Sequence, residues 1–110
     1  MSIVSVYAVF ANTEEAERIG RQMIEERLAA CVNILGPIRS IYRWQGKIEE
    51  ADEVPAILKT TAERAGALFV RIAGLHSYEV PCITVSPVTE LLADYADWVE
   101  ASVTSKSSVT

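Results

Sequence analysis

Half of the 110 side chains are hydrophobic, 23% are charged, and 15 acids outnumber 10 lysines and arginines, for a net charge of −5. That length accommodates one domain of ordinary size and not two. The apolar share, with only four prolines and five glycines, excludes a disordered or fibrous chain, and the negative charge argues against a nucleic-acid partner, whose phosphates require a basic stripe.

The run Ile3–Phe10 is β-branched, aromatic or small at nearly every position, as in a strand buried on both faces. Its length resembles a signal core, but no basic residue precedes it and a helix-capping sequence follows where a cleavage site would fall. A strand in a cytoplasmic protein is the expectation. Asn12-Thr13-Glu14-Glu15 then reads as a helix start, with an Asx or Thr cap and acids in the first turn. Ala16, Ile19, Gly20, Met23, Ile24 and Leu28 recur at helical spacing, and Glu14–Arg18 and Glu17–Arg21 are spaced to pair.

Cys31–Leu35 is a short strand candidate that Gly36-Pro37 interrupts before the run resumes at Ile38–Trp44. A Gly-Pro pair inside extended chain marks a bulge or a bend. Gln45-Gly46 is the natural hairpin tip. The return arm, Lys47–Thr60, crosses the acidic patch Glu49, Glu50, Asp52 and Glu53, and Pro55, lacking a donor, requires an edge or a bulge. Thr60-Thr61-Ala62-Glu63 fits a capping box ahead of an Ala65, Leu68, Phe69, Ile72, Leu75 stripe. A loop from Gly74 to Pro81 leads to a last strand, Cys82–Ser86, and a third helix is expected from about Thr89 to Val103. Leu91, Leu92, Tyr95, Trp98 and Val99 form its inward face. Residues 1–103 thus read as one domain, with 104–110 as a disordered tail.

The element order is βαβ twice, then a helix. This predicts an α+β, ferredoxin-like βαββαβ sandwich with a long central hairpin and an extra C-terminal helix. The hairpin arms overhang a sheet whose strands should average about 5–6 residues. With Tyr42 and Trp44 near its tip, the hairpin presents edges and aromatics that a lone chain should not leave bare, which predicts self-association. No apolar run approaches the roughly 18 residues of a membrane span. Two cysteines far apart, Cys31 and Cys82, fit a reducing compartment.

No G-x-S-x-G, P-loop, G-x-G-x-x-G or H-E-x-x-H motif is present, so no catalytic activity is expected. Three groups of residues carry other chemistry. His76, with Glu79 or a cysteine, suits a borderline metal ion, against the preferred plain reading in which it caps the preceding helix. The cysteines fall among apolar neighbours, where a free thiol is usually a small hydrophobe. Tyr42, Arg43, Trp44 and Lys47, with Lys59 further along, either line a cleft between subunits, the lysine meeting an anion, or simply pack an interface. The acidic patch either collects divalent cations weakly or is a solvated face.

Several segments together resemble one family. Ala29-Ala30-Cys31-Val32-Asn33, Ser40 through Glu49 (S-I-Y-R-W-Q-G-K-I-E), Leu58-Lys59-Thr60, His76 through Pro81 (H-S-Y-E-V-P), Pro87-Val88 and Tyr95-Ala96-Asp97-Trp98 follow the order and spacing of the CutA divalent-cation tolerance proteins. The resemblance covers about residues 3–101. It implies a ferredoxin-like subunit in a compact homotrimer with hairpins pairing between subunits, similar to the PII signal-transduction proteins. It also implies linkage to copper and other divalent cations, with no required cofactor and no catalytic reaction.

The chain departs from the family pattern at Ser77 and Cys82, where H-P-Y-E-V-P-E is usual, at the reversed Gly36-Pro37, and at Pro55. It departs again at Ala8, where copper-binding members carry a cysteine. On this resemblance His76, Glu79 and Cys82 are the candidate metal ligands. The alternative is a PII-like regulatory module holding a small anion or metabolite in inter-subunit clefts of Tyr42, Trp44, Lys59, His76 and Tyr78. A ligand-free trimeric scaffold is a third reading. Acylphosphatases and RNA-recognition domains share the element order, but Ala11-Asn12-Thr13-Glu14 offers a phosphate no cation and the RNA-binding aromatic motifs are missing.

Overall fold

Alternation along the first strand, β1 (Ile3–Phe10), sends Val4, Val6, Ala8 and Phe10 to one face of a sheet and Ile3, Ser5, Tyr7 and Val9 to the other. The computed structural model describes residues 2–104. Helix α1 (Thr13–Glu25) begins where Asn12 Oδ1 accepts the Glu15 N–H at 2.8 Å, while the Glu15 carboxylate reaches back to the Ala11 N–H at 2.9 Å. Its apolar stripe buries Ala16, Ile19, Gly20 and Met23. A Cβ on Gly20 would lie 3.1 Å from Val32 Cγ1, so the glycine sets how closely helix and sheet approach. The two predicted i,i+4 pairs on the outer face do not close within 4 Å. Instead Arg71 of the second helix grips Glu26 with two bonds of 2.9 Å and holds that carboxyl down at about 2.

The exit from α1 is left-handed at Arg27, φ 59°. The Arg27 N–H bonds Ile24 O and the Leu28 N–H bonds Met23 O, both at 3.0 Å, the Schellman pattern that ordinarily selects glycine. An arginine stands here and its guanidinium donates to Ser102 O at 3.2 Å, tying the turn to the far end of the chain.

The sheet is antiparallel throughout. Strands β2 (Cys31–Ile34), β4 (Lys47–Thr61), β1 and β5 (Ile83–Pro87) follow one another, and β3 (Ile38–Trp44) pairs with the first half of β4. At a rise near 3.3 Å per residue the fifteen residues of β4 span roughly 50 Å, which sets the 53 Å long axis of the molecule. Gln45 (φ 51°) and Gly46 (φ 80°) turn the hairpin, both left-handed as a two-residue turn of this twist demands.

Between Ile34, opposite Ala56, and Ile38, opposite Glu53, one arm has three residues and the other two. The Gly36-Pro37 pair is thus a one-residue bulge, as its composition predicts. Pro55 lies opposite it. Its carbonyl accepts the Leu35 N–H at 2.9 Å, so its missing donor points toward the bulge, where the ladder is interrupted anyway.

Helix α2 (Ala62–Leu75) is capped by Thr61 Oγ1 on the Arg64 N–H. With α1 it covers the face of Val4, Val6, Ala8, Phe10, Val54, Ala56 and Leu58, and the main core lies between. The last helix, α3 (Ala93–Val103), packs on the opposite face near Ile3 and Ala30 through Val99 and Val103.

Three details of the helices differ from expectation. Phe69 is exposed, because the buried stripe of α2 runs Ala65, Leu68, Ile72, Leu75 and the next position lies about 100° round. The last strand begins one residue later than expected and ends at Pro87. The Val88 N–H still bonds Ile3 O, so residues 89–92 are spent crossing from the sheet edge to its second face. Helix α3 therefore starts at Ala93, and Leu91 and Leu92 stay outside it, exposed; Trp98 is about half exposed. The expected tail lies, apart from Thr104, outside the described residues.

Candidate functional site

The loop after α2 folds back under the C-terminal end of β1. His76 lies at 9% exposure with its ring stacked on Phe10, centroids 5.2 Å apart and planes 11° off parallel. Its Nδ1 accepts the Tyr78 N–H at 3.0 Å, so Nε2 carries the hydrogen and donates to Val9 O at 2.7 Å. Both ring nitrogens are therefore engaged with backbone, neither on a carbonyl of α2. A metal ion on His76 would have to break one of these bonds.

Glu15 completes the anchor. One oxygen receives the Ala11 N–H, and the other receives the Ser77 N–H at 2.8 Å and stands 4.0 Å from His76 Nδ1. Burial alone would raise the Glu15 pKa, but the Ala11 and Ser77 bonds and the nearby imidazole outweigh it, and the carboxyl lies below its ordinary range.

Tyr78, held by this anchor, reaches across to β4, where its hydroxyl donates to Glu53 Oε2 at 2.7 Å. Burial, then the adjoining carboxylate, pushes the phenol well above the usual tyrosine range. Glu53 itself is only 8% exposed. Tyr78 and Glu53 form one corner of a cleft of about 560 Å³, walled by Tyr7 and Val9 of β1, Ile38, Ser40, Tyr42 and Trp44 of β3, and Glu79, Val80 and Cys82 of the loop.

Of the expected ligand-cleft residues, Tyr42, Trp44 and Tyr78 line this space and Lys59 does not. The register sets Lys59 opposite Ser5 and Cys31, six residues and roughly 20 Å along β4 from Glu53. No lysine or arginine is among the lining residues. Of the expected metal ligands, Glu79 and Cys82 line the cleft, whereas His76 supports it from behind. Among the described residues, no three histidine, cysteine, aspartate or glutamate side chains come together closely enough to hold a metal ion.

Sequence reasoning places Glu53 only in an acidic patch and Glu15 only in a helix start, and misses the part each plays here. Strand parity could have found the first, since Glu49, Ala51 and Glu53 alternate away from Glu50 and Asp52, which Arg39 binds on the other face. The Asn12-x-x-Glu15 spacing marked the second.

Residues 4–102 match the family described as CutA1 divalent ion tolerance protein. The chain belongs to the CutA1 family. The divalent-cation tolerance protein CutA of Archaeoglobus fulgidus is 41% identical over 98 residues, 89% of this chain and 95% of that one. Its counterpart in Thermotoga maritima is 42% identical over 92% of this chain and 99% of its own length. A solved structure described as the periplasmic divalent cation tolerance protein CutA from Archaeoglobus fulgidus superposes with a TM-score of 0.90 at 39% identity, over 93% of this chain and 99% of that one. Within this CutA1 chain, Ala8, where copper-binding members of the family were expected to carry a cysteine, is fully buried beneath the helices. No helix among the described residues is long and apolar enough to cross a membrane.

Proposed function

We propose that this CutA1 chain serves divalent-cation tolerance as a cytoplasmic, non-enzymatic homotrimer that meets divalent ions, copper among them, at the cleft rather than through a chelating triad. The observation that carries this reading is the charge of the cleft. Glu53 and Glu79 line it with the Cys82 thiol, and none of the described residues lining it is basic. Two carboxylates without a closed coordination shell favour weak, rapidly exchanging association, in which water or a neighbouring subunit completes the shell. A small anion in the same place meets two carboxylates and no cationic side chain among the described lining residues, which disfavours the regulatory-anion alternative there.

Self-association rests on the hairpin, and the number three is what the family resemblance implies. Ile41 and Ile48 are 67% and 69% exposed on its outer face, a surface that favours burial against another copy. Sedimentation equilibrium should return three times 12.1 kDa, and a monomer would remove the oligomer. Calorimetric titration with copper(II) should show weak binding that falls in a Glu53→Gln, Glu79→Gln double variant. Undiminished binding there would remove the site.

A further inference from the structure

We infer that the cleft accepts a small organic ammonium ion, held between its aromatic walls and the Glu53 carboxylate. This rests on reading the cleft as a cation site and names the cation that its chemistry suits. A hard divalent ion asks for six or more oxygen ligands, whereas four of the side chains around this space, Tyr7, Tyr42, Trp44 and Tyr78, are aromatic. Ring faces offer a quadrupole to a cation and no lone pair to a metal. Ammonium and quaternary ammonium groups exploit that, at about 0.5–2 kcal/mol per well-placed ring.

Glu53 supplies the counter-charge in a form suited to this use. It is more than nine-tenths buried. Tyr78 Oη binds its Oε2 at 2.7 Å, and Oε1 has no protein partner among the described residues. A desolvated carboxylate held by one fixed donor attracts a cation more strongly than the exposed acids elsewhere on the chain. The cleft, about 560 Å³, falls inside the range of roughly 300–1,000 Å³ usual for small-molecule sites. A primary amine would donate its N–H groups to Glu53 Oε1 and Ser40. A quaternary ammonium would rely on the rings alone.

The test is a titration of the full isotope-labelled chain, followed by NMR at constant ionic strength, with tetramethylammonium chloride, propylamine hydrochloride and neutral tert-butanol in separate arms. Saturable movement of the Trp44 indole N–H and the Tyr78 amide with either ammonium salt, and not with tert-butanol, is expected. Loss of the counter-charge in Glu53→Gln should weaken the response about tenfold. Should that variant disturb the sheet, Glu79→Gln and Trp44→Leu test the same pocket from its exposed side and its wall.

An equal response to tert-butanol, or full affinity in the folded variants, overturns the inference. A parallel zinc(II) titration separates it from the reading beneath it. Zinc response with ammonium silence overturns only the ammonium assignment. Ammonium response with zinc silence upholds it and removes the divalent site. Silence in both arms, as when a second copy of the chain fills the cleft, removes the cation cleft altogether.

Discussion

The two faces of the sheet follow different rules. Beneath α1 and α2 every inward residue of the central strands is apolar except Thr60, and helices from the same chain close that face. On the other face Ser5, Tyr7, Glu53 and Lys59 interrupt the apolar positions, and α3 covers only the end near Ile3 and Ala30. The first face is finished by folding. The second is left open, so the same strands carry stability on one side and, on the proposed reading, binding and assembly on the other.

The sharpest test of that division compares neighbours on β4. Leu58→Ala, on the closed face, should lose about 2–5 kcal/mol in urea unfolding, whereas Ile57→Ala, half-buried on the open face, should lose less than half as much. If the gap closes as protein concentration rises, the open face is buried in the assembly. Next in size is the anchor that joins the two faces at their end. Glu15→Ala should cost about 2–3 kcal/mol near neutral pH, since two backbone donors lose a charged acceptor.

The pH dependence of Glu15 has a definite sign. Its pKa is lower folded than unfolded, so its stabilisation is complete above the unfolded value of about 4.3 and disappears as pH falls through the lower folded value. A Glu15→Gln variant should flatten that part of the acid unfolding curve. Tyr78→Phe, which removes the hydroxyl bond from the loop to Glu53, should cost about 1–2 kcal/mol. Its phenol is shifted upward, so the wild-type advantage holds below pH 10 or so and erodes as pH rises further.

The smallest effects run the other way. Thr60 Oγ1 is buried without a partner among the described residues, and Thr60→Val should stabilise by about 1 kcal/mol. Gln45→Gly, relieving a left-handed side chain at the hairpin tip, should add about 0.5 kcal/mol. Thermal unfolding checks both.

Local chemistry made most of the fold readable. Asn12, Gln45-Gly46 and Gly36-Pro37 each dictate one backbone event, and each event occurs there. The stripe of α1 was equally plain. What escaped depends on partners far along the chain. His76 reads as a helix cap or a metal ligand until Val9 and Phe10 are seen around it, 67 and 66 positions earlier. Glu53 looks like one more solvated acid until the register puts Tyr78 over it. Lys59 has a plausible composition for a cleft, but strand pairing alone decides which stretch of β4 it belongs to.

The bulge at residues 35–37 reaches beyond its own geometry. Even-numbered residues of β2, Val32 and Ile34, lie toward the helices, whereas even-numbered residues of β3, from Ile38 to Trp44, look onto the cleft. That single supernumerary residue inverts the parity of everything downstream. Removing it would carry Arg39, Ile41 and Arg43 onto the cleft side and send Tyr42 and Trp44 to the back. A one-codon deletion in this loop would thus exchange the β3 wall of the cleft for one bearing two arginines, leaving Tyr7, Glu53, Tyr78 and Glu79 in place. Over evolutionary time, insertion and deletion at this point can change what one wall of the cleft presents on an otherwise constant scaffold.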